Sequence, residues 1–107
     1  MILQADDVIK TEMFPGFERR TLLSGSELML CLFEMREGSE LPAHSHPHEQ
    51  AVYVLSGSVR FTRGDESMVV KAGEQILVPS GTTHGLVALE ETLLLDVFSP
   101  PREDFRY

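Results

Sequence analysis

The sequence lacks tryptophan, has a single cysteine, and is only 7% aromatic over its 107 residues. With one cysteine the chain cannot form an internal disulfide, which fits a reducing compartment and leads us to expect a cytoplasmic protein. Cys31 lies within an apolar run, where a thiol acts as a small buried hydrophobic group and not as a nucleophile. Because aromatic residues are few, the core must be built mainly from aliphatic side chains.

Basic residues are also scarce: nine Lys and Arg stand against 17 Asp and Glu, which gives a formal net charge of −8. Without a basic cluster the chain lacks the surface that binds nucleic acid or an anionic membrane. No apolar run approaches the ~20 residues of a membrane-spanning helix, and the N-terminus turns acidic at once, so we expect no signal peptide. The predicted partner is therefore a small molecule, with no nucleic acid and no membrane.

Short hydrophobic runs, each closed by glycine, proline or serine, fill most of the chain. Hydrophobic residues make up 42% of the sequence, which suits one core, so we predict a single domain over residues 1–107. Many short strands at this spacing, with no amphipathic helix among them, indicate an all-β sandwich or barrel. The predicted strands are 18–23, 28–35, 51–55, 59–63, 68–71, 75–78, 84–89 and 93–98. Pro100 and Pro101 end this pattern, and we expect residues 99–107 to form a strap.

Three of the four histidines lie between positions 44 and 48. Residues i and i+2 of a strand share a face, so His44 and His46 are predicted to point into one cavity. Gln50 follows at even spacing, and His84 completes the group if its strand lies alongside. Imidazoles with an oxygen donor suit a first-row divalent ion. The alternatives are histidines grouped by chance, or the remnant of a metal site that no longer binds.

Two spaced motifs resemble those of the cupin family. The first has glycine, five residues, His-x-His, three residues, a ligand position, six residues and glycine, and its members are Gly38, His44, His46, Gln50 and Gly57. The second has glycine, five residues, Pro-x-Gly, two residues and histidine, and its members are Gly73, Pro79, Gly81 and His84. The resemblance implies a double-stranded β-helix, or jelly-roll barrel, whose metal ligands are His44, His46, Gln50 and His84. It implies that His48 is not a ligand and lies either near the rim or just behind the ligands.

Gln50 stands where the cupin motif usually has glutamate, and this changes the expected charge of the site. Three neutral imidazoles and an amide oxygen leave the charge of a divalent nickel, manganese, iron or zinc ion uncompensated. Such an ion favours an anionic substrate and polarises its carbonyl or hydroxyl oxygen. The ligand set fits dioxygen chemistry less well than three histidines with one glutamate.

Asp96 is an acidic residue late in an apolar strand, and it shares a face with Phe98 by the period of two. If that face is interior, Asp96 is a candidate general acid or base; if it faces out, Asp96 is only a solvated strand end. The ending of the chain, together with Gln50, also resembles the KdgF family of pectin-degradation proteins. That resemblance implies substrate or catalytic roles for Asp96, Phe98 and Arg102, with Arg102 pairing a uronate carboxylate. The alternative for Arg102 is an exposed arginine in the tail.

The function implied by these resemblances is metal-dependent opening or tautomerisation of the ring of an unsaturated uronate. Two alternatives stay open: dioxygenation or isomerisation of another small polar metabolite, and a binding module without catalysis. The resemblance also implies a homodimer. Residues 8–13 are predicted to form an N-terminal strand, within a segment 1–13 that two copies exchange, because an uncovered edge strand invites pairing.

Overall fold

Ten antiparallel strands and two short 3-10 helices account for most of the chain in the computed structural model, which describes residues 2 and 4–106. The 3-10 helices are Ala5–Asp7 and Glu103–Phe105. The strands are β1 (Lys10–Phe14), β2 (Phe17–Ser24), β3 (Met29–Met35), β4 (Glu40–His44), β5 (Glu49–Ser56), β6 (Ser58–Arg63), β7 (Glu66–Lys71), β8 (Gln75–Val78), β9 (His84–Ala88) and β10 (Thr92–Ser99).

The strands form two antiparallel sheets, and this confirms the predicted all-β class. One sheet has six strands in the order β1-β2-β3-β10-β5-β8, and the other has four in the order β4-β9-β6-β7. Alternate side chains on β3 and β10 are buried, as expected for strands with one face on a core. The core draws on both sheets and includes Phe17, Met29, Val54, Phe61 and Leu94. In the described part of the chain, neither helix has the length and apolar character needed to cross a bilayer.

All eight strands listed from the sequence correspond to observed strands, with ends that differ by at most two residues. The predicted strand at 8–13 is observed as β1, shifted toward the C-terminus and paired with β2 of the same chain. Of the ten observed strands, β4 alone was not predicted, because it is short and contains Pro42. In the predicted strap the backbone turns into the second 3-10 helix and buries Phe105. Met1 and Leu3 of the N-terminal segment, and Tyr107 of the strap, lie outside the described residues.

Glycine is required at the turn between β5 and β6. Gly57 has a φ of +85°, and a Cβ added there would overlap the carbonyl oxygen of Glu91. Gly73, before β8, has a φ of +86°. Both motif glycines thus adopt the left-handed conformation, which a side chain disfavours. The glycines therefore shape the turns on either side of the β6–β7 hairpin.

Cys31 on β3 is fully buried, and burial is the main cause that raises its pKa to about 11. The thiolate is the reactive form, so at pH 8 the folded protein should react with an aromatic disulfide reagent only as fast as it unfolds. In denaturing guanidinium one thiol per chain should react within seconds, which serves as the control. A fast stoichiometric reaction of the folded protein would contradict the buried placement.

Candidate metal centre

Three of the histidines converge where β4 ends and β9 begins. His44 and His84 are directly opposite each other in the antiparallel pair of these strands, with ring centroids 4.3 Å apart. The His46 ring lies 4.9 Å from the His84 ring and 5.6 Å from the His44 ring. One ring nitrogen of each lies within 4.8 Å of the others, so the three side chains form a single cluster.

The prediction that His44 and His46 share one face of a strand is wrong, although both reach the cluster. Strand β4 ends at His44, and His46 lies in the turn that leads to β5. Pro47 follows immediately and has no N–H to continue a ladder. A residue of the second motif fixes the position of His46, since the Gly81 N–H donates to the His46 carbonyl over 2.9 Å. Convergence therefore comes from packing between the two motifs and not from strand alternation.

The backbone fixes the tautomer of each histidine in the cluster. Each Nδ1 lies against a carbonyl oxygen, and the pairs are His44 with Pro42 at 3.0 Å, His46 with His48 at 3.1 Å, and His84 with Thr82 at 2.9 Å. A carbonyl only accepts, so each Nδ1 carries the proton, and each neutral ring keeps a lone pair on Nε2. The three rings are thus set up as ligands through Nε2.

Burial favours the neutral form of the His46 and His84 rings. It is the main cause that lowers the pKa of His84 to about 4, and it also lowers the pKa of His46, followed by the nearby charge of Arg102. Nε2 of His84 is buried and has no hydrogen-bond partner among the described residues. A buried lone pair without a partner is costly, and a bound cation would satisfy it.

Gln50 on β5 brings an oxygen to the same point. Its Oε1 lies 2.9 Å from Nε2 of His46, and its Nε2 donates to Oδ2 of Asp96 over 2.7 Å. The contact with Asp96 orients the amide, so two atoms that carry lone pairs face each other across 2.9 Å. A cation between them would turn this unfavourable contact into a favourable one. His44, His46, Gln50 and His84 therefore fit a divalent metal ion.

Asp96 lies behind Gln50 on β10 and faces the interior, as the period-two pattern allows. Its side chain is buried, with 4% exposed, and Oδ1 has no hydrogen-bond partner among the described residues. Burial is the main cause that raises the pKa of Asp96 to about 7, while the Gln50 hydrogen bond and the charge of Arg102 lower it. The carboxyl group thus contacts the candidate ligand Gln50 but does not itself belong to the cluster of candidate metal donors.

Phe98 and Arg102 are brought to the same region by the end of β10 and the strap. Phe98 is opposite Gln50 in the β5–β10 pair, and its ring centroid is 5.8 Å from that of His46. The Arg102 Cζ atom lies 5.5 Å from the Phe98 ring centroid and 3.9 Å from that of Phe105. Only 12% of the Arg102 side chain is exposed, so it is not a free tail arginine.

A cavity of about 390 Å³ lies beside the histidine cluster and is reached by His44 of the three clustered histidines. Its polar lining residues are His44, Gln50, Asp96, Arg102 and Asp104, and aliphatic and aromatic side chains make up most of the remaining wall. A few polar groups converging in a mainly apolar cavity are typical of a small-molecule site. Asp104 was not among the residues singled out from the sequence. Its spacing, two residues beyond Arg102, was the available signal.

Comparison with known proteins decides the family. A family model described as a cupin domain matches residues 31–98, which include both motifs. The chain belongs to the cupin family. This cupin is 31% identical to the pectin degradation protein KdgF of Dickeya dadantii over 102 residues, which are 94% of this chain and 93% of that protein.

Two solved structures are similar over nearly the whole cupin. KdgF from Halomonas sp. has a TM-score of 0.92 at 29% identity and covers 97% of this chain and 98% of its own. An RmlC-like cupin from Shewanella frigidimarina has a TM-score of 0.91 at 31% identity, with 95% of this chain and 92% of the other covered. The predicted family and fold are confirmed, and the cupin is a homologue of KdgF.

The cupin brings all the candidate residues from the sequence into one region. Candidate ligands converge as described, and His48 lies outside the cluster, contributing its carbonyl to His46. Asp96, Phe98 and Arg102 line the same cavity. Their roles as ligands or catalytic groups stay predictions.

Proposed function

We propose that this cupin is a metal-dependent enzyme that opens or tautomerises the ring of a small unsaturated uronate. The observation that carries the proposal is the cluster of three histidines beside the Gln50 oxygen, next to a cavity that His44, Gln50, Asp96 and Arg102 line. Homology to a pectin degradation protein supports the substrate class.

A divalent transition metal would be held by His44, His46 and His84 through Nε2 and by Gln50 through Oε1. Imidazole and amide donors accept nickel, manganese, iron and zinc alike. When bound, the metal supplies Lewis-acid polarisation of a substrate oxygen.

The chain's own groups bind the substrate and move its proton. Arg102 offers a planar guanidinium that pairs the uronate carboxylate. Asp96 is poised to take up and return a proton at Oδ1, the oxygen that the Gln50 contact leaves free. Phe98 and Phe105 pack beside Arg102 and help exclude water from this end of the cavity.

The test is turnover of 4,5-unsaturated galacturonate, followed through loss of the alkene absorbance. Metal-loaded protein is expected to accelerate the loss over buffer, and protein stripped by a chelator is the control. Initial rates are compared at several protein concentrations and with buffer alone. No acceleration by protein that retains its metal would refute the proposal.

A second candidate is dioxygenation or isomerisation of another small polar metabolite, one with fewer hydroxyl groups than a uronate. The observation that favours it is the apolar part of the cavity wall, where Leu41, Leu86 and Leu94 provide no partners for sugar hydroxyl groups. Oxygen uptake by iron-loaded protein, without any loss of the unsaturated uronate, would support this alternative.

The oligomeric state and the cellular location of the protein stay predictions. We propose a homodimer in the cytoplasm, formed by the single domain over residues 1–107. Strand β1 lies at the edge of the six-stranded sheet, and Ile9 just before it is 83% exposed. An uncovered edge with an exposed apolar side chain supports pairing between two copies.

A further inference from the structure

Asp104 forms a two-point contact with Arg102 at the edge of the cavity. Nε of Arg102 donates to Oδ1 of Asp104 over 3.2 Å, and Nη2 donates to Oδ2 over 2.8 Å. Both residues line the cavity, but the Asp104 side chain is 60% exposed, whereas that of Arg102 is 12% exposed. The contact therefore joins an exposed carboxylate to an arginine that is largely enclosed.

Aromatic contacts alone do not fix the orientation of this guanidinium. Stacking over Phe105 sets the height of the Arg102 plane above the ring, but a cation over a ring face is free to rotate within that plane. A bidentate carboxylate removes this rotation because two parallel hydrogen bonds define a direction. Asp104 is the group that supplies this second constraint.

One edge of the guanidinium stays available. Asp104 takes the edge formed by Nε and Nη2, and Nη1 has no hydrogen-bond partner among the described residues. The edge formed by Nη1 and Nη2 is the other geometry in which arginine pairs a carboxylate with two hydrogen bonds. A second carboxylate can thus bind Arg102 without displacing Asp104.

We propose that Asp104 is a positioning residue that holds Arg102 with its Nη1–Nη2 edge free for the carboxylate of the bound ligand. The proposal rests on the proposed function to the extent that the ligand is a carboxylate sugar. Asp104 need not touch the ligand, and it acts on affinity through Arg102. Its own negative charge weakens the attraction for an anion, so its contribution must come from geometry.

The test is equilibrium binding of galacturonate, which lacks the alkene, and of uncharged galactose to metal-loaded protein by calorimetry. Asp104→Ala is expected to weaken galacturonate binding about fivefold, the upper range for a partly exposed ion pair, and to leave galactose binding unchanged. Asp104→Asn keeps one acceptor and should show an intermediate loss. In turnover of the unsaturated uronate, Asp104→Ala should raise KM by the same factor with kcat unchanged within twofold.

Glu103→Ala is the matched control. Glu103 is the neighbouring acid, is 80% exposed at its side chain and pairs with Arg106, so its replacement removes the same charge without touching Arg102. It should leave galacturonate binding unchanged or slightly tighter. Equal or tighter binding by Asp104→Ala would overturn the positioning role and make Asp104 a competitor for Arg102. Wild-type protein that binds no galacturonate would instead overturn the proposed substrate class.

Discussion

Replacing His84 by alanine is expected to lower the affinity for a divalent transition metal by at least about 100-fold. The scale follows from outer partners of metal ligands, whose loss alone costs about 10- to 100-fold. Of the three histidines in the cluster, His84 is best arranged to bind a metal ion. Its Nδ1 is held by the Thr82 carbonyl, its ring is neutral because burial lowers its pKa to about 4, and its Nε2 is buried without a partner.

The measurement is titration of the stripped protein with cobalt, followed by the absorption spectrum of the bound ion, and metal content after dialysis. His48→Ala is the matched control because His48 lies outside the donor cluster and the change keeps its carbonyl for His46. We expect this variant to bind metal within about threefold of the wild type, well inside the loss that an outer partner causes. Undiminished binding by His84→Ala would show that the cluster is not the metal site.

Most of the strands were predictable because each is a short run rich in hydrophobic residues that ends at a turn former. Strand β4 was missed because Glu40–His44 contains a proline and is not a hydrophobic run. The candidate ligands were found through the spacing of two motifs. Their geometry was not, because Gly81 sets the position of His46 by a backbone contact between residues 35 positions apart in the sequence.

The chemistry around Gln50 depends on strand register, which the sequence does not state. Asp96 reaches Gln50 because β5 and β10 are neighbours and place Asp96 opposite Val52, two positions from Gln50 on the same face. From the residues alone, an outward Asp96 was equally acceptable. Likewise, the strap keeps Arg102 beside the cavity because Phe105 packs against Phe33 and Phe98, and these are tertiary contacts.

The contact between Asp96 and Gln50 also revises the expected charge of the site. Gln50 itself is neutral, which predicted an uncompensated ion facing an anionic substrate. The structure places a carboxyl group one hydrogen bond behind the amide, 2.7 Å from its nitrogen. When Asp96 is ionised, part of the charge that a glutamate ligand would bring is therefore present at greater distance. Protonation of Asp96 and the effective charge at the ligands are coupled through this amide.

Two replacements of Asp96 should separate its contact with Gln50 from its proposed work on a proton. Asp96→Asn keeps an oxygen that accepts from the Gln50 amide, so metal affinity should stay within about threefold of the wild type, below the range for losing an outer partner. The same change removes the acid–base group, so kcat for the unsaturated uronate should fall about 10²- to 10⁴-fold. Asp96→Ala removes both functions and should also lower metal affinity by about 10- to 100-fold.

Because metal affinity and kcat are measured separately, the support of Gln50 and the proton transfer by Asp96 can each be refuted alone. Turnover that survives in Asp96→Asn would exclude the proton role and leave Asp96 as a support for Gln50. Metal affinity that survives in Asp96→Ala would show that the amide keeps its orientation without the carboxylate. Asp65→Asn, the same change at an exposed residue in the β6–β7 hairpin, should alter neither quantity. Because Asn and Asp are nearly equal in size, a loss of turnover in Asp96→Asn cannot be assigned to a cavity, and so it reports on the proton itself.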